Sequence, residues 1–291
     1  MPIDGCGGSW VTKENPTNLV LLTEGCVSYI LSLTSPRDAC RASSICRGFK
    51  VFANSDAVWE RFLPDDYMDI LSRSVSPVVY ASKKDLYFQL CDSHLLLDDG
   101  NMSFSLNKQN GKKCFMLGAK ALSIAWQDTL VFWRWRSLPE SRFPKVAELL
   151  AVCWLEIKGK FKTLMLSSET TYAAFLVYNI RAVSHGLEFP AKTLDRHDVG
   201  GMEVEDAGED LDMTVVYLKP PKTGQNLQNS VQTEVIGAVP WRRADGWMEV
   251  ELGKFYNDKT GGEVDMRFME TRELHWKSGL IIEGIDIRPT D

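Results

Sequence analysis

The sequence predicts an α+β chain in two parts, a small all-α module followed by a larger antiparallel β-sandwich. Three observations predict it. Between residues 21 and 93, apolar side chains recur at helical spacing behind helix-start signals. From Leu95 onward they alternate with polar ones over short runs broken by turn residues. The 291 residues, 44% hydrophobic and 25% charged, suffice for two units that each bury a core.

Residues 1–20, rich in Gly, Pro and polar side chains, read as a flexible lead-in. Thr23 is the expected N-cap of a first helix that carries Val27, Ile30 and Leu31 on one face. Ser35 caps a second. Pro36 takes its first position, where no N–H is needed, and Asp38 stands near its positive end. Ala39, Ala42 and Cys46 give that helix a narrow face suited to close packing. Phe49 and Phe52 mark a third helix over 48–53, and Val58, Trp59 and Phe62 a fourth before Pro64. Short helices are expected around 65–72 and 82–91.

Leu95 to Leu97, the turn Asp98-Asp99-Gly100-Asn101, and the alternating Met102, Phe104 and Leu106 predict a hairpin. Further strands are expected over 122–126, 131–136, 152–158, 163–166, 172–180, 213–218, 247–252, 264–269 and 280–288, with only a helical turn or two over 143–150. In 247–252, Met248, Val250 and Leu252 face one way, and Trp247, Glu249 and Glu251 the other. The last strand keeps Ile282, Ile285 and Ile287 on one face only if a bulge falls at Glu283-Gly284. The acidic, glycine-rich stretch 195–212 and the polar run 219–233 read as long, flexible surface loops.

A net charge of −6 speaks against a generic nucleic-acid binder. No signal-like pattern opens the chain and no uncharged apolar run reaches about 18 residues, so no membrane span is expected. Seven cysteines, an odd number with no C-x-x-C pair, fit free thiols in a reducing compartment, the cytoplasm and/or nucleus. The histidines His94, His185, His197 and His275 lack metal-ligand spacing. With no nucleophile elbow, P-loop or dinucleotide fingerprint, no catalytic residue and no cofactor is expected. Glu249, Glu251 and Asp265 are the candidates for a glycosidase carboxylate pair, but acids on an exposed strand face are more often simply solvated.

Two resemblances sharpen the picture. LTEGCVSYILSLTSPRDACRASSICRGFKVFANSDAVWERFL resembles an F-box, the helical module that docks the Skp-type adaptor of a cullin ubiquitin ligase. The resemblance implies adaptor contacts at Leu22, Glu24, Ile30, Leu33, Pro36, Arg37, Asp38 and Trp59, with Cys46 near the family's valine-cysteine position. Thr23 stands where the family usually has proline, which implies weaker docking through a helix that threonine still caps. KCFMLGAKALSIAW, FPKVAELLAVCWLEIKGKF, TYAAFLVYNI, DGWMEVELGKFY and WKSGLIIEGIDIRP then resemble successive blocks of the phloem protein 2 domain, known also from the tobacco Nictaba lectin. The whole is similar to the plant F-box phloem protein 2-B family. That implies an F-box over 21–64, a helical linker over 65–93 and a lectin-like jelly-roll sandwich over 94–291. It further implies a non-catalytic substrate receptor, joined through the adaptor to a cullin and binding a glycan, glycoprotein or other protein target. The alternative is a lectin that acts independently of ubiquitination.

Trp126, Trp133 and Trp135 fall within ten residues. By the same resemblance, Trp126 and Trp133 align with two tryptophans associated with sugar binding. An indole stacks on the apolar face of a pyranose, and a carboxylate such as Asp128, in the intervening loop, accepts from its hydroxyls. Trp135 is expected on the same face as Trp133, so either that face meets ligand or one ring is buried and the other lies at the rim. Trp154, Trp247 and Trp276 are expected in the core.

Overall fold

A computed structural model describes residues 22–198, 213–220, 237–272 and 274–290. Contacts divide the chain into two compact units, Met1–Phe62 and Leu63–Asp291.

In the first unit, helices α1 (Glu24–Ser32), α2 (Pro36–Ala42), α3 (Arg47–Ala53) and α4 (Asp56–Glu60) follow one another closely. Ser35 caps α2 as expected, its Oγ accepting from the Asp38 N–H at 3.1 Å with Pro36 at the first helical position. Thr23 behaves differently. Its backbone is extended ahead of α1, but its hydroxyl donates to Cys26 Sγ at 3.2 Å and caps no N–H. The core comprises Val27, Leu31, Ala39, Ala53, Val58 and Trp59.

In the second unit, helices α5 (Tyr67–Ser72) and α6 (Lys83–Asp92) precede strands β1 (Leu95–Leu97), β2 (Met102–Leu106), β3 (Lys113–Gly118), β4 (Ser123–Ile124) and β5 (Trp133–Arg136). Next come β6 (Val146–Leu149), β7 (Leu155–Lys162), β8 (Thr170–His185), β9 (Ala191–Asp198) and β10 (Thr214–Val216). The chain closes with β11 (Trp241–Arg242), β12 (Met248–Asn257), β13 (Glu263–Glu270) and β14 (Ser278–Pro289). Residues 65–93, expected as a linker, belong to this unit: α6 packs on β2 and Asp66 pairs with Lys113 Nζ at 2.9 Å. Arg73 likewise donates to Asp98 at 3.0 Å.

The strands form two sheets. One is nine-stranded, ordered β1-β2-β3-β14-β8-β12-β11, with β6 beside β14 and β5 beside β6; the other runs β10-β9-β13-β7-β4. Their named strand pairs are antiparallel. The sheets meet face to face where Phe115 and Phe161 bring ring centroids within 5.2 Å. Nearby, Gly159 of β7 leaves room for the tips of Ile285 and Leu122, which a Cβ would meet at 2.9 and 3.1 Å. The expected bulge is present: Ile282 pairs with Tyr178 and Gly284 with Val177, leaving Glu283 as the extra residue. Ile282, Ile285 and Ile287 are all buried as a result.

Other expectations are corrected. The stretch 143–150 contains strand β6 rather than helical turns, with all four residues of β6 buried between β5 and β14. The stretch 163–166 holds the tight 3₁₀ turn Thr163–Met165, not a strand. Residues 195–198 of the expected acidic loop complete β9 against β13. Residues 199–212 and 221–236, with the lead-in 1–21, lie outside the described residues.

Candidate functional site

The expected adaptor contacts separate into surface and core. Leu22, Glu24, Ile30 and Leu33 are exposed along α1 and its flanks, and Arg37 and Asp38 are exposed on the first turn of α2 beside the half-buried Pro36. Asp38 accepts from the Ser35 hydroxyl at 2.7 Å, and that bond, with Arg41 and Arg37 nearby, holds its carboxyl below the usual range. Trp59 does not belong with them. It is 0% exposed, its Nε1 donates to Ala53 O at 2.7 Å, and its ring meets Phe62 edge-on at 5.4 Å. It supports the unit from within and presents no ring to a partner. Helical periodicity alone missed the apolar groove of about 430 Å³ in which Ile30 joins Leu31, Ala42, Ile45 and Phe49. Ile45 lies between helices, where no period marks it.

The tryptophan loop divides in the same way. Trp126 is 59% exposed and its φ is +63°, a left-handed conformation that is costly for a bulky side chain. Such strain, worth about 1–3 kcal/mol, persists only where the surroundings enforce it. Here the enforcement is a run of bonds: Gln127 N–H to Ile124 O at 3.1 Å, Thr129 N–H to Trp126 O at 2.9 Å and Trp133 N–H to Thr129 O at 3.0 Å. Trp133 is 1% exposed, and its indole N–H donates to Ala125 O at 2.9 Å. The expectation that it stacks on sugar is therefore corrected: it anchors the loop that presents Trp126. Asp128, Leu130 and Val131 are exposed in that loop. Trp135 lies at the rim, half-buried under Lys120 Nζ 3.6 Å from its ring centroid.

Of the tryptophans expected in the core, Trp247 is buried, but Trp154 and Trp276 are 43% and 63% exposed. The alternation in WLEIK carried the signal for Trp154, since Trp154, Glu156 and Lys158 share the face opposite the buried Leu155 and Ile157. Trp154 Nε1 donates to Glu156 at 3.3 Å, and Lys158 Nζ pairs with the other carboxylate oxygen at 2.7 Å.

Of the carboxylates considered for hydrolysis, Glu251 is half-buried beside Lys254 at 3.5 Å, but Glu249 and Asp265 are buried rather than solvated on an open face. Glu249 is buried and held by Arg243 at 2.8 Å and Arg288 at 2.6 Å, while Asp286 is 2.9 Å from each of the same arginines. Burial alone would raise the Asp286 pKa, but the two guanidiniums outweigh it and hold the carboxyl below its usual range. Asp265 lies on the other sheet, bound to Arg267 at 3.0 Å, so Glu249 and Asp265 do not share a cleft. Among the described residues no group of three His, Cys, Asp or Glu could hold a metal ion, and no helix is long and apolar enough to cross a membrane.

Comparison with known proteins matches residues 112–289 to the phloem protein 2 family. The chain is 42% identical to the Arabidopsis thaliana F-box protein At2g02240, over 97% of this chain and 84% of that protein. It is 41% identical to the Arabidopsis F-box protein PP2-B10, over 91% and 92% respectively. With F-box protein PP2-B1 of the same plant it shares 37% identity, over 92% and 89%. The exposed helices of the first unit and the two sheets of the second thus both fall within these alignments, and the chain belongs to the phloem protein 2 family, among the F-box PP2-B proteins.

Proposed function

We propose that the chain is the substrate-recognition subunit of a Skp–cullin–F-box ubiquitin ligase. The helical unit is its F-box, and the two sheets are a lectin-like jelly-roll sandwich that binds glycans or glycosylated protein targets. The observation that supports the first half most strongly is the exposed apolar set Leu22, Ile30 and Leu33 on a unit whose relatives are named F-box proteins. An apolar helix face beside a groove is the geometry that helix docking uses. The second half rests on Trp126, an exposed indole held on strained backbone with Asp128 two residues away. The chain performs no chemistry in this reading; it holds a target beside the ligase and raises its local concentration. Cytoplasm or nucleus is the compartment it implies.

Co-purification with a Skp-type adaptor tests the docking half. Replacing Leu22 and Ile30 by Asp is expected to weaken adaptor capture by about 2 kcal/mol or more, the scale of a contact at the centre of an interface. Unchanged capture by the folded double variant rules docking through α1 out. Thr23 favours a second reading, a lectin independent of ubiquitination. Its φ of −65° is one proline adopts without strain, so Thr23→Pro is expected to fold and to strengthen adaptor capture. If neither form captures the adaptor while sugar is still bound, the lectin reading stands.

A further inference from the structure

One row of side chains crosses four strands of the nine-stranded sheet. Arg134 of β5 stands opposite Glu148 of β6, Glu148 opposite Ile281 of β14, and Ile281 opposite Asn179 of β8. Ile285 reaches Gly159 of the other sheet and Ile282 shares its face, so Ile281 and its row lie on the face turned away from that sheet.

Glu148 is 0% exposed, yet it holds two guanidiniums that reach solvent. Its Oε2 accepts from Arg136 Nη1 at 3.2 Å and its Oε1 pairs with Arg181 Nη1. Arg136 lies two residues beyond Arg134 on β5, and Arg181 two beyond Asn179 on the oppositely directed β8, so they approach Glu148 from the two sides of the row. Arg134 is exposed directly across from Glu148 and has no carboxylate partner among the described residues. A buried carboxylate is costly unless fully paired. Here the pairing also fixes two long side chains that a ligand would otherwise have to immobilise. Each engages Glu148 through Nη1, and its Nε and second Nη still carry donors. Three guanidiniums against one carboxylate leave an excess of positive charge in a chain whose net charge is −6. A phosphomonoester, with a charge of about −1.5 to −2 at pH 7, matches that excess.

Strand β5 indicates what carries the phosphate. Among the described residues its only strand partner is β6. Leu150 N–H donates to Phe132 O at 2.8 Å, so the backbone groups of Phe132, Arg134 and Arg136 face β6 and those of Trp133 and Trp135 face away. Trp133 N–H is taken by Thr129 O at 3.0 Å, which leaves the N–H and C=O of Trp135 on the open edge. An extended peptide added at this edge sets alternate side chains on the face that carries Arg134. RNA would need stacking rings along the row, and a lipid surface an exposed apolar flank. The row offers neither: its apolar member, Ile281, is half-buried.

We propose that Arg134, Arg136 and Arg181 bind a phosphoserine or phosphothreonine within an extended peptide that pairs along the free edge of β5. This site stands apart from the adaptor and glycan readings, which use other residues.

The test is fluorescence polarisation of the full chain with a labelled, degenerate short-peptide pool bearing a central phosphoserine, and with the same pool unphosphorylated. The phosphorylated pool is expected to bind at least about tenfold more tightly. Arg134→Gln and Arg181→Gln are each expected to lose about tenfold of that binding, and Arg134→Glu all of it. Arg134 is exposed and unpaired, so melting curves of its variants are expected to match the wild type. Free O-phosphoserine is expected to compete at least about tenfold more weakly than the peptide, having no backbone to pair with β5. Equal binding of the two pools, or undiminished binding by the folded Arg134→Glu variant, overturns the site. Equal competition by O-phosphoserine overturns the strand pairing. Displacement of the peptide by a poly-uridine oligonucleotide, or by vesicles containing phosphatidylinositol phosphate, at lower concentration than unlabelled peptide overturns the peptide as occupant. None of these outcomes bears on adaptor capture or sugar binding.

Discussion

Trp126 and Trp133 leave the same loop for opposite environments, and their substitutions should differ accordingly. Trp133→Ala removes a fully buried indole and orphans the Ala125 carbonyl it bonds, so urea unfolding is expected to show a loss of about 3–5 kcal/mol. Trp126→Ala should leave stability within about 0.5 kcal/mol of wild type, and under the proposed glycan-binding reading it should abolish that binding. In the first unit, Trp59→Ala should cost a similar 3–5 kcal/mol by opening a cavity, whereas Leu33→Ser on the surface should cost little. Composition and spacing could not separate these pairs. All are large apolar side chains, and in the tryptophan loop the left-handed backbone at Trp126 turns its ring outward while Trp133 turns inward.

Among the elements, β14 shows how far a pattern reaches. Its bulge was legible because Ile282, Ile285 and Ile287 share a face only if one residue is inserted. Gly284 next to it has a further constraint: a Cβ there would lie 1.9 Å from Leu117 O on β3. Gly284→Ala is therefore expected to cost at least the 1–3 kcal/mol typical of overpacking (about that range), seen as a lowered midpoint in thermal unfolding. Just before β14, Lys277→Met would remove the ammonium that pairs with the buried Glu270 carboxylate and donates to the carbonyls of Cys153 and His275. A destabilisation of about 3–5 kcal/mol is expected, measured in urea. Strand β6 was not legible. Four consecutive buried residues, Glu148 among them, carry no period, and Glu148 is tolerated inside only because Arg136 reaches it at 3.2 Å and Arg181 also pairs with it.

At the scale of the whole second unit, the Arg243, Glu249, Asp286 and Arg288 cluster ties β12 to β14 and couples stability to pH. The folded-state pKa of Asp286 is lowered, so its contribution is fully present above the ordinary aspartate range and is lost as pH falls through the folded value. Asp286→Asn should therefore flatten the acid limb of a stability–pH curve. At neutral pH it should cost toward the lower end of about 3–5 kcal/mol, because Arg288 still reaches solvent. A mutant curve parallel to wild type below pH 5 (roughly the upper edge of that titration) would falsify this assignment.

By itself, the sequence determined the helical first part, the strand-rich remainder, the Ser35 cap, the β14 bulge and the family, because each is written in local spacing or in blocks of contiguous residues. Tertiary structure alone decided that residues 65–93 join the sheets, that Glu249 and Asp286 are buried against arginines, and that Trp59 and Trp133 face inward. It also decided that Trp154 and Trp276 stand exposed on segments tied to the Trp126 turn. The physical reason is common to all of these. Burial and charge pairing depend on which distant segments arrive opposite a residue, and hydrogen bonds between residues such as 125 and 156, or 152 and 277, leave no trace in the spacing of either segment.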